Sequence, residues 1–291
     1  MVQSIPPRQI LATLLPYLKV AATYAQQIQS RIASRPDKTE YDNIFGSALS
    51  DADLSVQTLV EVALLGSFPH LRFYGEEFEQ SYNTKYFRAI DLGEQDDYLV
   101  TLDPIDGTRF YLDGHGNYMV ILTVLNRDEY EAAIALAPAT RTYYYALRGK
   151  GAFVGSFDQD LDACQPLPLN ADSTAIYLGR AQAELVSTLK QISDRYQVIS
   201  LTTDYSAEVQ VPNHTGVISG DLGGSVLTTA KFIDGAAIAF IAQEAGAWVT
   251  TWEGAPPPPL FACENYERPG LVIATNPAIH QDLLKAVQAC H

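Results

Sequence analysis

Cysteine is scarce in this chain, and positive charge is scarce beside negative. Cys164, Cys263 and Cys290 are the only three cysteines in 291 residues, and no Cys-x-x-Cys pair occurs. An odd, widely spaced set argues against a disulfide framework and a cysteine-type zinc site, and fits a reduced cytoplasmic chain. Lys and Arg number 19 against 34 Asp and Glu, a formal net charge of -15. Such a chain does not bind a nucleic acid polymer by neutralising its phosphates. The same charge repels a phosphate ester unless divalent cations invert the local sign. For most of the acids, solubility is explanation enough. No charged segment followed by a long apolar run opens the chain, so no signal peptide is expected. Lys19 and Gln26-Gln27 argue against a membrane span, and no internal repeat is visible.

What is present is enough apolar material, 47% of residues, for one large core or two packed halves. Apolar residues at 3-4 spacing predict a helix over Arg8–Ala33, with Pro16 as a kink or break. A second helix is expected over Asp51–Leu65, with Leu54, Thr58, Leu59, Val62 and Leu65 facing inward. Ser34–Ser50 and Glu79–Asp97 read as polar excursions. Tyr118–Leu125, Ala132–Ala137 and Tyr143–Leu147 are apolar β-rich runs joined by short turns, an antiparallel meander. A composition change near Ser156–Pro168 divides the chain into an α+β half, residues 1–157, and an α/β half, residues 158–291. The second half alternates strand Ala175–Leu178, helix Ala183–Tyr196 and strand Val198–Leu201. Gly223-Gly224-Ser225 then opens a helix, hence an anion site, or makes a simple turn. Gly235–Ala245 and the segment after Asn276-Pro277 are helices, and Leu271–Ala274 is a buried strand.

The chemistry concentrates at Leu102-Asp103-Pro104-Ile105-Asp106-Gly107-Thr108. An apolar run, Tyr98–Leu102, reads as a buried strand that stops at Asp103, because Pro104 has no N–H to donate. Asp106-Gly107 is a turn signal. Two carboxylates three positions apart, with the Ile105 carbonyl between them, suit a hard cation such as Mg²⁺. The plainer reading is an Asx-type turn whose carboxylates bond local N–H groups. A second acidic stretch, Phe73-Tyr74-Gly75-Glu76-Glu77, ends a short apolar strand. Adjacent side chains of an extended segment point to opposite faces, so only one of the two glutamates can face the metal. Asp53 lies in the first turn of a helix, where an acid also serves as a cap. Asp234 can likewise be no more than an N-cap.

These stretches resemble the inositol monophosphatase family. Its Gly-Glu-Glu and Asp-Pro-Ile-Asp-Gly-Thr motifs are matched by Gly75–Glu77 and Asp103–Thr108. Ser50-Asp51-Ala52-Asp53 is similar to its Ala-Asp before a helix, with Lys38 upstream. Arg148–Phe153 looks like its Gly-Lys-Gly-Ala-Phe hairpin, and Asp234–Thr250 resembles its Asp…Glu-Ala-Gly segment. The resemblance runs from about Lys38 to the end of the chain. It implies a layered α/β/α/β/α sandwich, an α+β fold, and a cytoplasmic, Li⁺-sensitive phosphatase of small phosphate esters, often dimeric.

It also implies two or three Mg²⁺ ions held by Glu76, Asp103, the Ile105 carbonyl, Asp106 and Asp234. Thr108, backed by Asp53, would orient the attacking water, with Glu76 completing the catalytic set. Gly107, Thr108, Arg109, Gly224 and Ser225 would bind substrate. Arg109-Phe110-Tyr111-Leu112 departs from the family's usual Thr-Asn-Phe and looks more like its 3′-phosphoadenosine 5′-phosphate phosphatase branch. The nine positions from Ser225 to Asp234 are fewer than the family's. Fewer side chains would then reach beyond the phosphate, and Arg109 would favour a second one. A non-catalytic relative that keeps the fold is the competing reading.

Overall fold

The structure is a computed structural model that describes residues 5–32, 50–77, 97–179 and 183–290. Lys38, and nearly all of the two polar excursions, lie outside the described residues. Two compact units are present: the chain to Arg148 with Val154–Gln165, and Gly149–Phe153 with Pro166 onward.

In the first unit, helix α1, Pro7–Ile28, buries Ile10, Leu11, Leu14, Leu15, Leu18, Ala21, Ala22 and Ala25. It runs through Pro16 without the break that was one of the two expected outcomes. Pro16 and Ala12 lie on the exposed face, so water can serve the carbonyl that the missing N–H leaves. The helix closes in a 3₁₀ turn, Gln29–Arg31. Helix α2, Asp51–Ser67, packs on α1 and buries Ala52, Asp53, Val56, Gln57, Val60, Glu61 and Leu64. The expected inner stripe is therefore rotated: Val62 is 48% exposed. Burial follows the polar trio Asp53, Gln57 and Glu61, which a hydrophobic pattern cannot register.

Strand β1, Arg72–Gly75, pairs parallel with β2, Leu99–Asp106. After the short helix α3, Thr108–Leu112, come β3, Met119–Leu125, β4, Tyr130–Ala137, and β5, Thr142–Leu147, each antiparallel to the one before. Strands β6, Gly151–Ser156, and β7, Gln165–Pro166, complete a seven-stranded sheet in sequence order. The expected meander is thus observed. Strand β2 does not stop at Asp103 as expected but continues to Asp106, with a register shift against β3 between those residues. β1 ends opposite Leu102. Pro104 falls in the bulge beyond the end of that parallel pairing, where a strand tolerates a residue without an N–H.

In the second unit, β8, Ala175–Leu178, is followed by α4, Ala183–Ile192, β9, Gln197–Ser200, and two short helices, α5, Leu201–Asp204, and α6, Gly216–Ser219. Then come β10, Gly224–Leu227, β11, Ala230–Lys231, α7, Gly235–Glu244, β12, Trp248–Thr251, β13, Glu267–Arg268, β14, Leu271–Ala274, and α8, Pro277–Ala289. Five strands form a mixed sheet in the order β12-β14-β10-β8-β9, parallel between β8 and its two neighbours and antiparallel elsewhere. Asn276 caps α8 by accepting the Ile279 N–H at 2.9 Å, and Pro277 takes the first turn, as expected. The Glu244 carboxylate accepts the N–H groups of Gly149 and Gly151 at 2.9 and 3.0 Å, which ties the glycine hairpin to this unit.

One buried histidine gives this unit a pH dependence. His280, on α8, is 6% exposed and its Nε2 lies 2.9 Å from Thr250 Oγ1. Burial holds its imidazole below the ordinary 6.5. The unfolded histidine therefore takes up a proton before the folded one does, and stability falls as pH drops through the unfolded value. The melting temperature is expected to decline from about pH 7.5 to about pH 5.5. The decline should be smaller in His280→Gln; an equal decline in both would show that other groups carry it.

Candidate functional site

The end of β2 organises the first unit's polar residues. Glu76 extends the parallel pairing by one residue, its N–H donating to the Leu102 carbonyl at 3.2 Å. Just beyond, Asp103 and Asp106 are 4% and 7% exposed. Asp103 Oδ1 accepts the Ile105 N–H at 3.1 Å, so this carboxylate does make the local turn that the plainer reading foresaw. Gly107 follows with φ +90° and starts α3. That left-handed conformation turns the chain sharply and places Thr108 at the first helical position.

Thr108 Oγ1 lies 2.9 Å from the Ile105 carbonyl and 3.1 Å from Asp53 Oδ1. A hydroxyl has one proton and two acceptors are within reach, so donating to either leaves lone pairs to receive a bond from water. Asp53 is wholly buried. Its Oδ2 accepts the Ser50 N–H at 2.9 Å and the Ser50 hydroxyl, while Ser50 Oγ accepts the N–H groups of Ala52 and Asp53. This is a capping box with Asp53 at its third position. One carboxylate thus splits its oxygens: one closes the helix start, the other faces Thr108. The capping role is therefore observed, and it leaves the other oxygen bonded to Thr108.

Helix α3 is tethered. Tyr111 Oη donates to the Ala25 carbonyl at 2.8 Å, and Gln29 Nε2 donates to the carbonyls of Tyr111 and His115 at 3.0 and 2.8 Å. Burial pushes the Tyr111 and Tyr118 phenols upward, Tyr118 to about 12, so neither supplies a phenolate base. Arg109 is gripped by Asp113, its Nε and one terminal nitrogen each 2.9 Å from a carboxylate oxygen. Its charge is matched within its own helix. Gln57 is the residue that motif reading missed: its Oε1 accepts the Glu77 N–H at 2.9 Å. The spacing Asp53, Gln57, Glu61, one polar residue per turn, was the signal that could have found it.

Three of the nominated residues belong to the second unit. Asp234 caps α7, its carboxylate accepting the Gly235 N–H. Gly224 and Ser225 are not at a helix start, which corrects the anion-site expectation. They open β10, a buried strand paired on both sides, with β8 and with β14. The ladders leave no row of open N–H groups. Gly224 is glycine for packing: a Cβ there would meet Leu283 Cδ1 at 2.8 Å and the Ile273 carbonyl at 3.0 Å. A helix start lies upstream instead, at α6, where Asn213 Oδ1 accepts the N–H of Thr215 at 3.2 Å and its hydroxyl.

The donors at the β2 end are all oxygen, and two of them are carboxylates with little access to water. Both features fit a hard divalent cation. Among the described residues, no three acidic, His or Cys side chains converge in a metal-holding group. The fit therefore rests on the donor type of Asp103, Asp106, the Ile105 carbonyl and Glu76.

The family model of the inositol monophosphatases matches residues 12–291. The chain belongs to the inositol monophosphatase family. A SuhB protein of Neisseria meningitidis serogroup A is 27% identical over 281 residues, covering 92% of this chain and 95% of the relative. Mycobacterium tuberculosis histidinol-phosphatase is 25% identical over 263 residues, covering 89% and 88%. The solved Thermotoga maritima IMPase matches with a TM-score of 0.66 at 19% identity, covering 94% of this chain and 95% of that one. The α+β fold is shared with it.

In this inositol monophosphatase family member, Gly107 is the sharpest test of the turn. A Cβ there would sit 3.3 Å from the Asn117 carbonyl and from the Phe110 ring, at φ +90°. Gly107→Ala is expected to lower unfolding free energy by about 1–2 kcal/mol, the strain of a left-handed non-glycine residue. Denaturant titration checks it; an unchanged midpoint would mean that the turn relaxes without strain.

Proposed function

We propose that this chain is a Mg²⁺-dependent phosphatase of small phosphate monoesters. The observation that carries the reading is the buried Asp53–Thr108 pair, 3.1 Å apart, beside the acidic end of β2. A threonine hydroxyl is a poor base alone, and a carboxylate at its back supplies the missing pull. Thr108 donating to Asp53 presents its lone pairs to a water O–H and orients that water's oxygen. Asp103, Asp106, the Ile105 carbonyl and Glu76 would hold Mg²⁺, and Asp234 is proposed for a further ion. The ions would supply Lewis-acid charge and a lowered water pKa. The N–H groups of Gly107 and Thr108 are proposed to receive a phosphoryl oxygen. No phosphorylated side chain is required.

Family membership and the relative named a histidinol-phosphatase support the phosphatase class. The substrate is proposed as a monoester with one phosphate. Arg109, read from sequence as an attractor for a second phosphate, is already gripped by Asp113. One observation favours the second reading, a relative that keeps the fold without hydrolysis: no three acidic side chains gather among the described residues.

Two measurements decide. Phosphate release from a panel holding inositol 1-phosphate, histidinol phosphate and 3′-phosphoadenosine 5′-phosphate is expected with Mg²⁺ and abolished by EDTA. Turnover that survives exhaustive chelation would remove the metal from the mechanism, and silence across the panel would favour the second reading. Thr108→Val keeps the side-chain shape and deletes the hydroxyl. It is expected to lower kcat about a hundredfold or more, in the range of a lost proton-handling group, and to lower the melting temperature modestly, because the buried Asp53 Oδ1 loses this bond. Near-normal kcat would exclude Thr108 from the chemistry.

A further inference from the structure

Gln57 lies one turn beyond Asp53 on α2 and is 2% exposed. A buried amide is unfavourable unless its atoms are bonded. Its Oε1 takes the Glu77 N–H at 2.9 Å, a bond that no local secondary structure requires. The amide also lies flat against Gly75. A Cβ at residue 75 would come within 2.3 Å of Gln57 Cδ and 2.5 Å of its Oε1. Gly75 is thus glycine because a side chain approaches it. The neighbouring peptide N–H, that of Glu76, donates to the Leu102 carbonyl on the other side. The backbone of Glu76 is clamped between β2, through its own N–H, and α2, through the N–H that follows.

The same helix holds Thr108 through Asp53, one turn earlier. A single face of α2 therefore reaches both acidic stretches, and no other element within this unit is bonded to both by side chains in the contacts described above. We propose that Gln57 is a positioning residue that fixes the Glu76–Glu77 peptide so that Glu76 serves as a ligand for the divalent cation. Gly75 is the complement that lets Gln57 approach. The assignment rests on the metal-dependent reading above, and it concerns cation affinity, not the chemical step.

The test titrates Mg²⁺ into the full chain by calorimetry and, separately, measures phosphate release against Mg²⁺ concentration. Wild type is compared with Gln57→Leu, which removes the acceptor, and Gln57→Glu, which keeps an acceptor oxygen at the same reach. Gly75→Ala, which pushes the amide away without altering it, covers the case in which Gln57→Leu does not fold; circular dichroism melting shows which variants do. Gln57→Leu and Gly75→Ala are expected to weaken Mg²⁺ binding about tenfold, or about 1.4 kcal/mol. The Mg²⁺ requirement should shift by more than kcat at saturating Mg²⁺ does, and Gln57→Glu should restore most of the affinity. Equal Mg²⁺ affinity in wild type, Gln57→Leu and Gly75→Ala, with hydrolysis intact, would overturn this proposal and leave the phosphatase reading standing. Weakened Mg²⁺ binding in a protein that hydrolyses nothing would support it and overturn the phosphatase reading. A wild type that binds no Mg²⁺ would overturn both.

Discussion

Strand β2 loses one neighbour partway along its length, and the first unit is arranged around that loss. As far as Leu102 it is bonded on both edges, to β1 and to β3. Beyond Leu102, among the described residues, only β3 is paired with it, and the register slips before Asp106. A doubly bonded strand has no backbone group to spare, and a proline inside it would forfeit a ladder bond. With β1 ended, Pro104 is tolerated, the Ile105 carbonyl lies within reach of the Thr108 hydroxyl, and Asp103 and Asp106 are both buried. The rigid sheet stays within one residue of this irregular stretch, so its atoms are held by covalent geometry on one side and by Gly107 on the other.

The polar face of α2 answers the same constraint. A helix packed against a sheet ordinarily buries an apolar stripe. Here the buried stripe carries Asp53, Gln57 and Glu61 among alanine, valine and leucine. Each of these would weaken the helix–sheet contact if left unbonded. Asp53 is bonded through both oxygens, and Gln57 bonds a backbone N–H that the end of β1 would otherwise leave open. The polar groups therefore replace hydrogen bonds that the sheet stops providing at Gly75 and Leu102. Helix packing and the backbone geometry at Glu77 are thus served by the same side chain, Gln57.

The second unit has an apolar core of its own, in which α4 and α8 pack on the five-stranded sheet. Gly224 in β10 admits α8 against the sheet, and two acids, Asp234 and Glu244, accept backbone N–H groups. Membership of the inositol monophosphatase family covers both units, since the match extends from residue 12 to residue 291. At identities of 25–27% to the relatives named above, family membership does not fix the substrate.

Local signals in the sequence were sufficient for much of this. The meander from β3 to β5, the strands Ala175–Leu178 and Leu271–Ala274, the Asn276-Pro277 start of α8 and the cap at Asp234 were all legible, because apolar periodicity, turn residues and capping residues act over a few positions. So were the two acidic stretches and the family they resemble. Tertiary structure alone decided four things. It carried β2 through Pro104, because whether a proline loses a bond depends on where the neighbouring strand ends. It rotated α2, because its buried face is chosen by polar partners on β1 and α3 that lie far away in sequence. It placed Gly224-Ser225 in a strand, because Gly223-Gly224 reads locally as a helix start or a turn until α8 is seen pressing on it. It set the 3.1 Å hydrogen bond between Asp53 and Thr108, 55 positions apart, a pairing that the family resemblance only implied, because a hydrogen bond between two elements exists only once both have been packed on the same sheet.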